Sequence, residues 1–294
     1  VTGPYATAAI RSRVLAAWAA SPARFREDAN AEDDAALAGA ASLVVELAQN
    51  AADAARRAGV PGALLVEELD GVLYAANTGA PLDAAGVEAL SHLRASAKSA
   101  GDVGRYGVGF KAVLAVTDAP AVFTREGGVE WSRDGTLAEV SAIPSLAAEV
   151  ERRQGRLPVM RLPYDAVPDA HAAALLREWD TVVVLPLTAD VPLDHLDDTL
   201  LLTLDLATLR LGDRVLTRDP SWVVHTSSGA VPPELLADRP VEERERPTWS
   251  VTVAVRTVDG VPVAWDGDRR LRAPQPTDER VDVPVFLSAS VPLE

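Results

Sequence analysis

The chain contains no cysteine, which excludes a disulfide framework. No apolar run approaches the roughly 18 residues of a membrane span, so neither a spanning segment nor a membrane partner is expected. Basic residues are outnumbered, 28 Lys and Arg against 43 Asp and Glu, for a net charge of -15. A nucleic-acid groove draws on clustered cations that neutralise phosphates, so nucleic acid is not expected as a partner. The four histidines, His92, His171, His195 and His225, are scattered without metal-ligand spacing and are read as surface or packing residues. The chain opens without a basic stretch followed by an apolar core, so no signal peptide is expected and the expected location is cytoplasmic.

What is present is a globular composition, 48% hydrophobic over 294 residues, enough for one large domain or two ordinary ones. Two is the expectation. Lysine is nearly absent: Lys98 and Lys111 are the two among 28 basic residues. On an Arg-rich background a surviving Lys marks a place where a compact ammonium suits one oxygen and a guanidinium fork does not, although two lysines can also fall close together by chance.

Residues 5 to 20 carry Ile10, Val14, Leu15 and Trp18 at helical spacing and stop at Ser21-Pro22. Glu27 to Asp34 reads as an acidic connector, and a second helix from about Ala35 to Ala58 ends at Gly59-Val60-Pro61-Gly62. Ala63–Leu69 and Val72–Ala76 flank Asp70-Gly71, a two-residue hairpin signal because both central residues need positive φ. Residues 80 to 103 are polar and helical in part, without an apolar face of their own. Val108 to Val116 reads as a helix, followed by strands at 121–124 and 129–132, a helix at about 170–179 and a fully buried strand at 181–187. Leu200 to Leu211 is a helix or a strand. Glu242 to Arg246 reads as a solvated linker, Pro276 to Arg280 as a turn, and the last fifty residues as β-rich. This order predicts a mixed sheet with helices packed on one side.

Within the second helix Glu46, Asn50 and Asp53 stand at i, i+4 and i+7 and share one stripe, a geometry that suits a carboxylate and an amide aimed at one metal and one water. Gly104, Gly107 and Gly109 let the backbone turn sharply and come close to a ligand, leaving free amides at the start of a helix, where phosphate is the natural partner. The spacing is neither that of a dinucleotide fingerprint nor that of a Walker loop, and a glycine-rich helix cap would explain the triplet alone.

Glu46-x-x-x-Asn50-x-x-Asp53, then Asn77-Thr78-Gly79, then Gly104-Arg105-Tyr106-Gly107-Val108-Gly109-Phe110-Lys111 resemble in order and spacing the GHKL ATPases. That superfamily includes gyrase, histidine kinases and the ninety-kilodalton heat-shock chaperone. The likeness spans about residues 35 to 190 and is greatest to the chaperone branch and its sacsin-like relatives. It implies an α/β (α+β) class, a two-layer ATP-binding sandwich over residues 1–190 with a lid at 80–103, and a β-rich start of a transducer or middle domain over 191–294, the chain being a piece of a longer protein. It implies ATP or ADP with Mg2+ as cofactors, Glu46 as the general base, Asn50 as the metal ligand and Asp53 in support. Asn77, Gly79 and Thr181 would lie by the adenine. Gly104, Arg105, Tyr106, Gly107, Val108, Gly109, Phe110 and Lys111 would line the phosphates, with Lys98 reaching the terminal one. The family usually has Asp where Asn77 stands, and Asn can still accept through its carbonyl. The expected activity is slow ATP hydrolysis coupled to lid closure, with protein clients or further domains as partners. The alternatives are a nucleotide sensor that does not hydrolyse and, further off, a kinase-type core.

Overall fold

The structure, a computed structural model, describes residues 3–37, 40–91, 109–193, 196, 199–239, 244, 247–273 and 276–290. It is of the α+β class, with two mixed sheets. The chain divides into two units: Val1–His195 with Thr208–Val215, and Leu196–Ala207 with Leu216–Glu294.

The first unit begins with α1 (Thr7–Ala20) and α2 (Pro22–Ala36). Ser21 breaks the first helix in an extended conformation and Pro22 starts the second, because a proline at the first helical position loses no hydrogen bond. The acidic stretch Glu27 to Asp34 is therefore helix, where a connector was expected. Glu27 and Asp34 face outward while Phe25, Ala29 and Glu32 are buried at i, i+4 and i+7. Trp18 meets Phe25 edge-on at 5.1 Å, and its Nε1 donates to Asp28 Oδ2 at 2.8 Å, which fastens the two helices at their corner.

Helix α3 (Ala40–Ala58) follows, ends with Arg56 and Arg57 in its last turn, and gives way at Gly59, whose φ is +67°. Strands β1 (Ala63–Leu69) and β2 (Val72–Asn77) form the expected hairpin, with Asp70 at φ +51° and Gly71 at φ +77°. Then come α4 (Ala84–Ser91), a short 3-10 helix (Gly109–Ala115) within the helix expected at Val108 to Val116, β3 (Ala121–Thr124), β4 (Gly128–Trp131), α5 (Arg133–Ser141), α6 (Pro144–Arg152), β5 (Pro163–Ala166), α7 (Ala170–Leu175) and β6 (Thr181–Pro186). Leu200–Leu211, read as helix or strand, is both: α8 (Leu200–Thr203) and β7 (Thr208–Leu211). With β8 (Arg214–Thr217) these strands complete an eight-stranded sheet of order β5-β4-β3-β6-β2-β1-β7-β8. The pairs β1–β2, β2–β6, β3–β6, β3–β4 and β4–β5 are antiparallel, and β1 and β7 run parallel.

Period-two alternation sends the side chains of the central strands to two faces. Leu65, Tyr74, Ala76, Ala121, Phe123, Val182 and Val184 form one cluster with Ala172 of α7, and Leu175, Leu176 and Trp179 pack against it. Leu64, Ala75, Val122 and Val183 face the opposite way, beneath α3. A short helix thus covers the face that was expected to carry none.

In the second unit β9 (Trp222–Ala230) pairs with β10 (Thr248–Val258), and α9 (Pro233–Leu236) lies between them in sequence. The sheet runs β11 (Val261–Pro262), β10, β14 (Phe286–Ala289), β12 (Arg270–Arg272), β13 (Pro276–Arg280). Its core is Leu202, Trp222, Ala254, Trp265 and Phe286. Pro276 to Arg280 is strand, not turn, because β12 gives it an antiparallel partner.

The β1–β2 turn offers a clean measurement of backbone strain. A Cβ at Gly71 would meet nothing within 4 Å, so Gly71→Ala costs only the left-handed conformation, about 1 kcal/mol. Urea unfolding followed by circular dichroism should show that loss with an unchanged slope.

Candidate functional site

A cleft opens between α3 and the sheet, with about 400 Å³ of non-atom space when the open solvent at its mouth is included. Its floor comes from four neighbouring strands: Leu64 of β1, Ala75 and Asn77 of β2, Thr181 and Val183 of β6, and Val122 of β3. Leu47 and Asn50 of α3 line it, as do Leu82, Leu90 of α4 and Phe110 of the 3-10 helix. The lining is apolar except for Asn50, Asn77 and Thr181. Leu82, Val87 and Leu90 are buried, so residues 80 to 91 do have an apolar face, and Leu82 and Leu90 of that face line the cleft.

Two of the three polar residues carry unanswered hydrogen-bonding groups. Asn50 Nδ2 and Thr181 Oγ1 are buried with no partner among the described residues. Buried polar groups in folded proteins are overwhelmingly paired, and each one left unpaired costs about 1–3 kcal/mol. Asn77 and Thr181 are register partners across β2 and β6. Asn77 donates one N–H of its Nδ2 to Thr78 O at 3.1 Å, which leaves the carbonyl oxygen and the second N–H to offer to a ligand.

The other expected site residues divide. Glu46 stands one turn before Asn50 on α3, half-buried and outside the cleft lining, and burial raises its carboxyl above the ordinary range. Asp53 is tied to Arg56 at 2.7 Å and does not line the cleft. Gly79, at φ +121°, is pressed against α3, where a Cβ would run into the backbone of Ala54 and Ala55. Its amide donates to Asp180 Oδ2 at 2.8 Å, so that donor is not available to a base. Lys98, Gly104, Arg105, Tyr106, Gly107 and Val108 lie outside the described residues, as does the 92–103 part of the expected lid. Leu90 and Phe110, on either side of that stretch in sequence, both line the cleft. Among the described residues no group of three His, Cys, Asp or Glu forms a metal cluster, and no helix is long and apolar enough to cross a membrane.

Lys111 faces away from the cleft, into a buried charge cluster. Its side chain is 1% exposed, Arg161 is 1% exposed and Glu32 3%. Glu32 Oε2 accepts from Val159 N at 2.6 Å and Met160 N at 3.2 Å, while its Oε1 stands 3.5 Å from Arg161 Nε, with Asp28 Oδ1 at 3.7 Å from the same nitrogen. Burial, then the like charge of Arg161, brings the Lys111 amine down to about 8, while Glu32 and Asp28 pull it upward. Burial likewise raises Glu32. Sequence reading missed this cluster because Glu32 was placed in a connector; the signal was the Phe25, Ala29, Glu32 spacing. It also missed the apolar lining, which no motif marks.

Compared with models of known protein families and with curated proteins, the chain matches no family model and no curated protein.

The Lys111 amine fixes the sign of a pH effect. Its folded-state value of about 8 lies below the ordinary 10.5, so between those values the unfolded chain holds the extra proton and stability rises with pH. The penalty is full below 8 and gone by 10.5. Urea titrations of wild type and Lys111→Met from pH 7 to 10.5 should show wild type gaining on the variant across that window; a constant difference would mean that Lys111 is not buried as a cation.

Proposed function

We propose that the chain is an ATP-binding module of GHKL type, closest in its motifs to the heat-shock chaperone and sacsin-like branch, and a slow magnesium-dependent ATP hydrolase. The observation that carries this reading is the pair of buried, unpartnered groups, Asn50 Nδ2 and Thr181 Oγ1, facing one apolar cleft beside the Asn77 carbonyl oxygen. A flat apolar ring with polar edges fits that lining, and adenine offers an amino donor to Asn77 Oδ1 and a ring-nitrogen acceptor to the Thr181 hydroxyl. The order of the three motifs along the chain supports the same ligand.

Asn50 is the residue that would hold magnesium, an ion that takes few protein ligands and shares its coordination with phosphates and water. Bound ATP and magnesium supply the phosphoanhydride bond and the charge neutralisation. The chain's own part is to hold the base in a dry slot, to keep Asn50 on a rigid helix, and to take a proton at the Glu46 carboxylate. Burial of Glu46 raises its carboxyl and makes it a better base once ionised. Protein clients or further domains would read the resulting change of shape, in the cytoplasm. A second reading, a sensor that binds ATP without hydrolysing it, draws on the position of Glu46 outside the cleft lining.

Calorimetry with ADP or ATP and magnesium should give binding heat at up to millimolar nucleotide; silence with both overturns the assignment. Thr181→Val should move stability and binding in opposite directions. It removes an unpaired buried hydroxyl at constant shape and should stabilise the free protein by about 1 kcal/mol, while weakening ADP about five- to tenfold. Glu46→Ala should lower turnover at least about a hundredfold and leave affinity unchanged. Equal turnover in wild type and Glu46→Ala selects the sensor.

A further inference from the structure

The Asn77-Thr78-Gly79 turn is held at both ends by one residue. Asp180 donates its backbone N to Asn77 O at 3.0 Å and accepts the Gly79 amide on Oδ2 at 2.8 Å. Its other oxygen, Oδ1, accepts from Arg125 Nη1 at 3.0 Å, and Arg125 Nε donates to Leu176 O at 3.1 Å. Beyond the turn, Ala80 N donates to Ala54 O at 2.9 Å, one helical turn after Asn50 on α3. Asp180 also directly precedes Thr181, the register partner of Asn77.

We propose that Asp180 is the positioning residue of the cleft: by clamping both ends of the Asn77–Gly79 turn it sets the spacing between Asn77 and Thr181 on the sheet and Asn50 on the helix above. Several features give this clamp its force. Gly79 is buried at a φ that glycine adopts and side chains rarely allow, with no room for a Cβ against Ala54 and Ala55, so the turn has no side chain of its own at this end to hold it. The amide of Gly79 has been drawn away from the base and spent on the clamp, which leaves Asn77 and Thr181 to read the base edge. The Arg125–Asp180 pair is largely exposed on the Arg125 side, 58% against 32%, and exposed ion pairs contribute little by themselves. Its work is orientation: engaging Oδ1 aims Oδ2 at Gly79. Loosening the clamp changes which ring fits, because a shift of a few tenths of an ångström at Asn77 or Thr181 breaks a hydrogen bond that adenine needs and guanine cannot make.

The proposal rests on the nucleotide reading for its binding arm, and amide exchange supplies an arm that needs no ligand. Asp180→Ala, Asp180→Asn and Arg125→Ala would be compared with wild type for exchange at the Gly79 and Ala80 amides in the free protein, and for ATP and GTP affinity with magnesium. Asp180→Ala should speed Gly79 exchange at least about tenfold and shrink the preference for ATP over GTP by a similar factor, with the thermal transition still cooperative. Asp180→Asn keeps an acceptor for Gly79 and should recover most of both effects; Arg125→Ala should produce the smaller loss. Unchanged Gly79 exchange in Asp180→Ala overturns the clamp. Faster exchange with an unchanged ATP to GTP ratio overturns its role in positioning. If Asp180→Ala does not fold, the decision passes to Arg125→Ala: a ratio and an exchange rate both equal to wild type overturn the proposal. Absence of nucleotide binding in wild type overturns the nucleotide reading itself, and is told apart because the exchange arm is measured without nucleotide.

Discussion

The first unit is organised around β2 and β6, two neighbouring strands with no exposed side over most of their length. A strand in that position cannot satisfy one face with water, so both sides of the sheet must be covered. Tyr74, Ala76, Val182 and Val184 recruit α7 and the residues around it; Ala75, Asn77, Thr181 and Val183 face α3. Among the described residues the second cover leaves a cleft: α3, α4 and the 3-10 helix meet around a gap into which polar atoms of Asn50 and Thr181 project. Without the double burial of β6, Thr181 would be a surface residue and its hydroxyl would find water.

The same cleft accounts for the chemistry proposed for the site. An apolar slot with few polar groups binds by shape and is discriminating only where those groups are fixed. Asn77 is fixed by the hydrogen bond its Nδ2 donates to Thr78 O, Thr181 by the strand pairing, and Asn50 by a helix of nineteen residues. Rigid elements hold functional atoms more accurately than loops do, and all three readers sit on such elements.

The charge cluster under α2 is a second constraint of a different kind. Lys111 follows Phe110 in sequence, yet Phe110 lines the cleft while Lys111 is buried beside Glu32, Asp28 and Arg161. The 3-10 helix thereby joins the cleft wall to the amino-terminal helices. Removing one member of such a cluster is costly because it leaves the others buried without compensation, so its weight falls on keeping that helix in place more than on net stability.

The sequence by itself determined the elements whose signals are local. The Asp70-Gly71 turn needs positive φ at two adjacent residues, the α3 stripe follows from 3.6-residue periodicity, and the β6 run is too apolar and β-branched to be anything but a buried strand. The resemblance of its motifs put Asn50, Asn77, Thr181 and Phe110 forward, and the fold brings those four into one cleft. Tertiary structure alone decided what depends on partners distant in the chain. The Gly79 amide is drawn to Asp180 a hundred residues on, and Lys111 to a glutamate in a stretch that looks like an acidic connector until Phe25 and Ala29 are seen to bury its inner face. A polar side chain carries the same local signal whether it serves a ligand or a neighbour. The choice is made by which buried group lies within hydrogen-bonding distance, and that distance is a property of the packed chain.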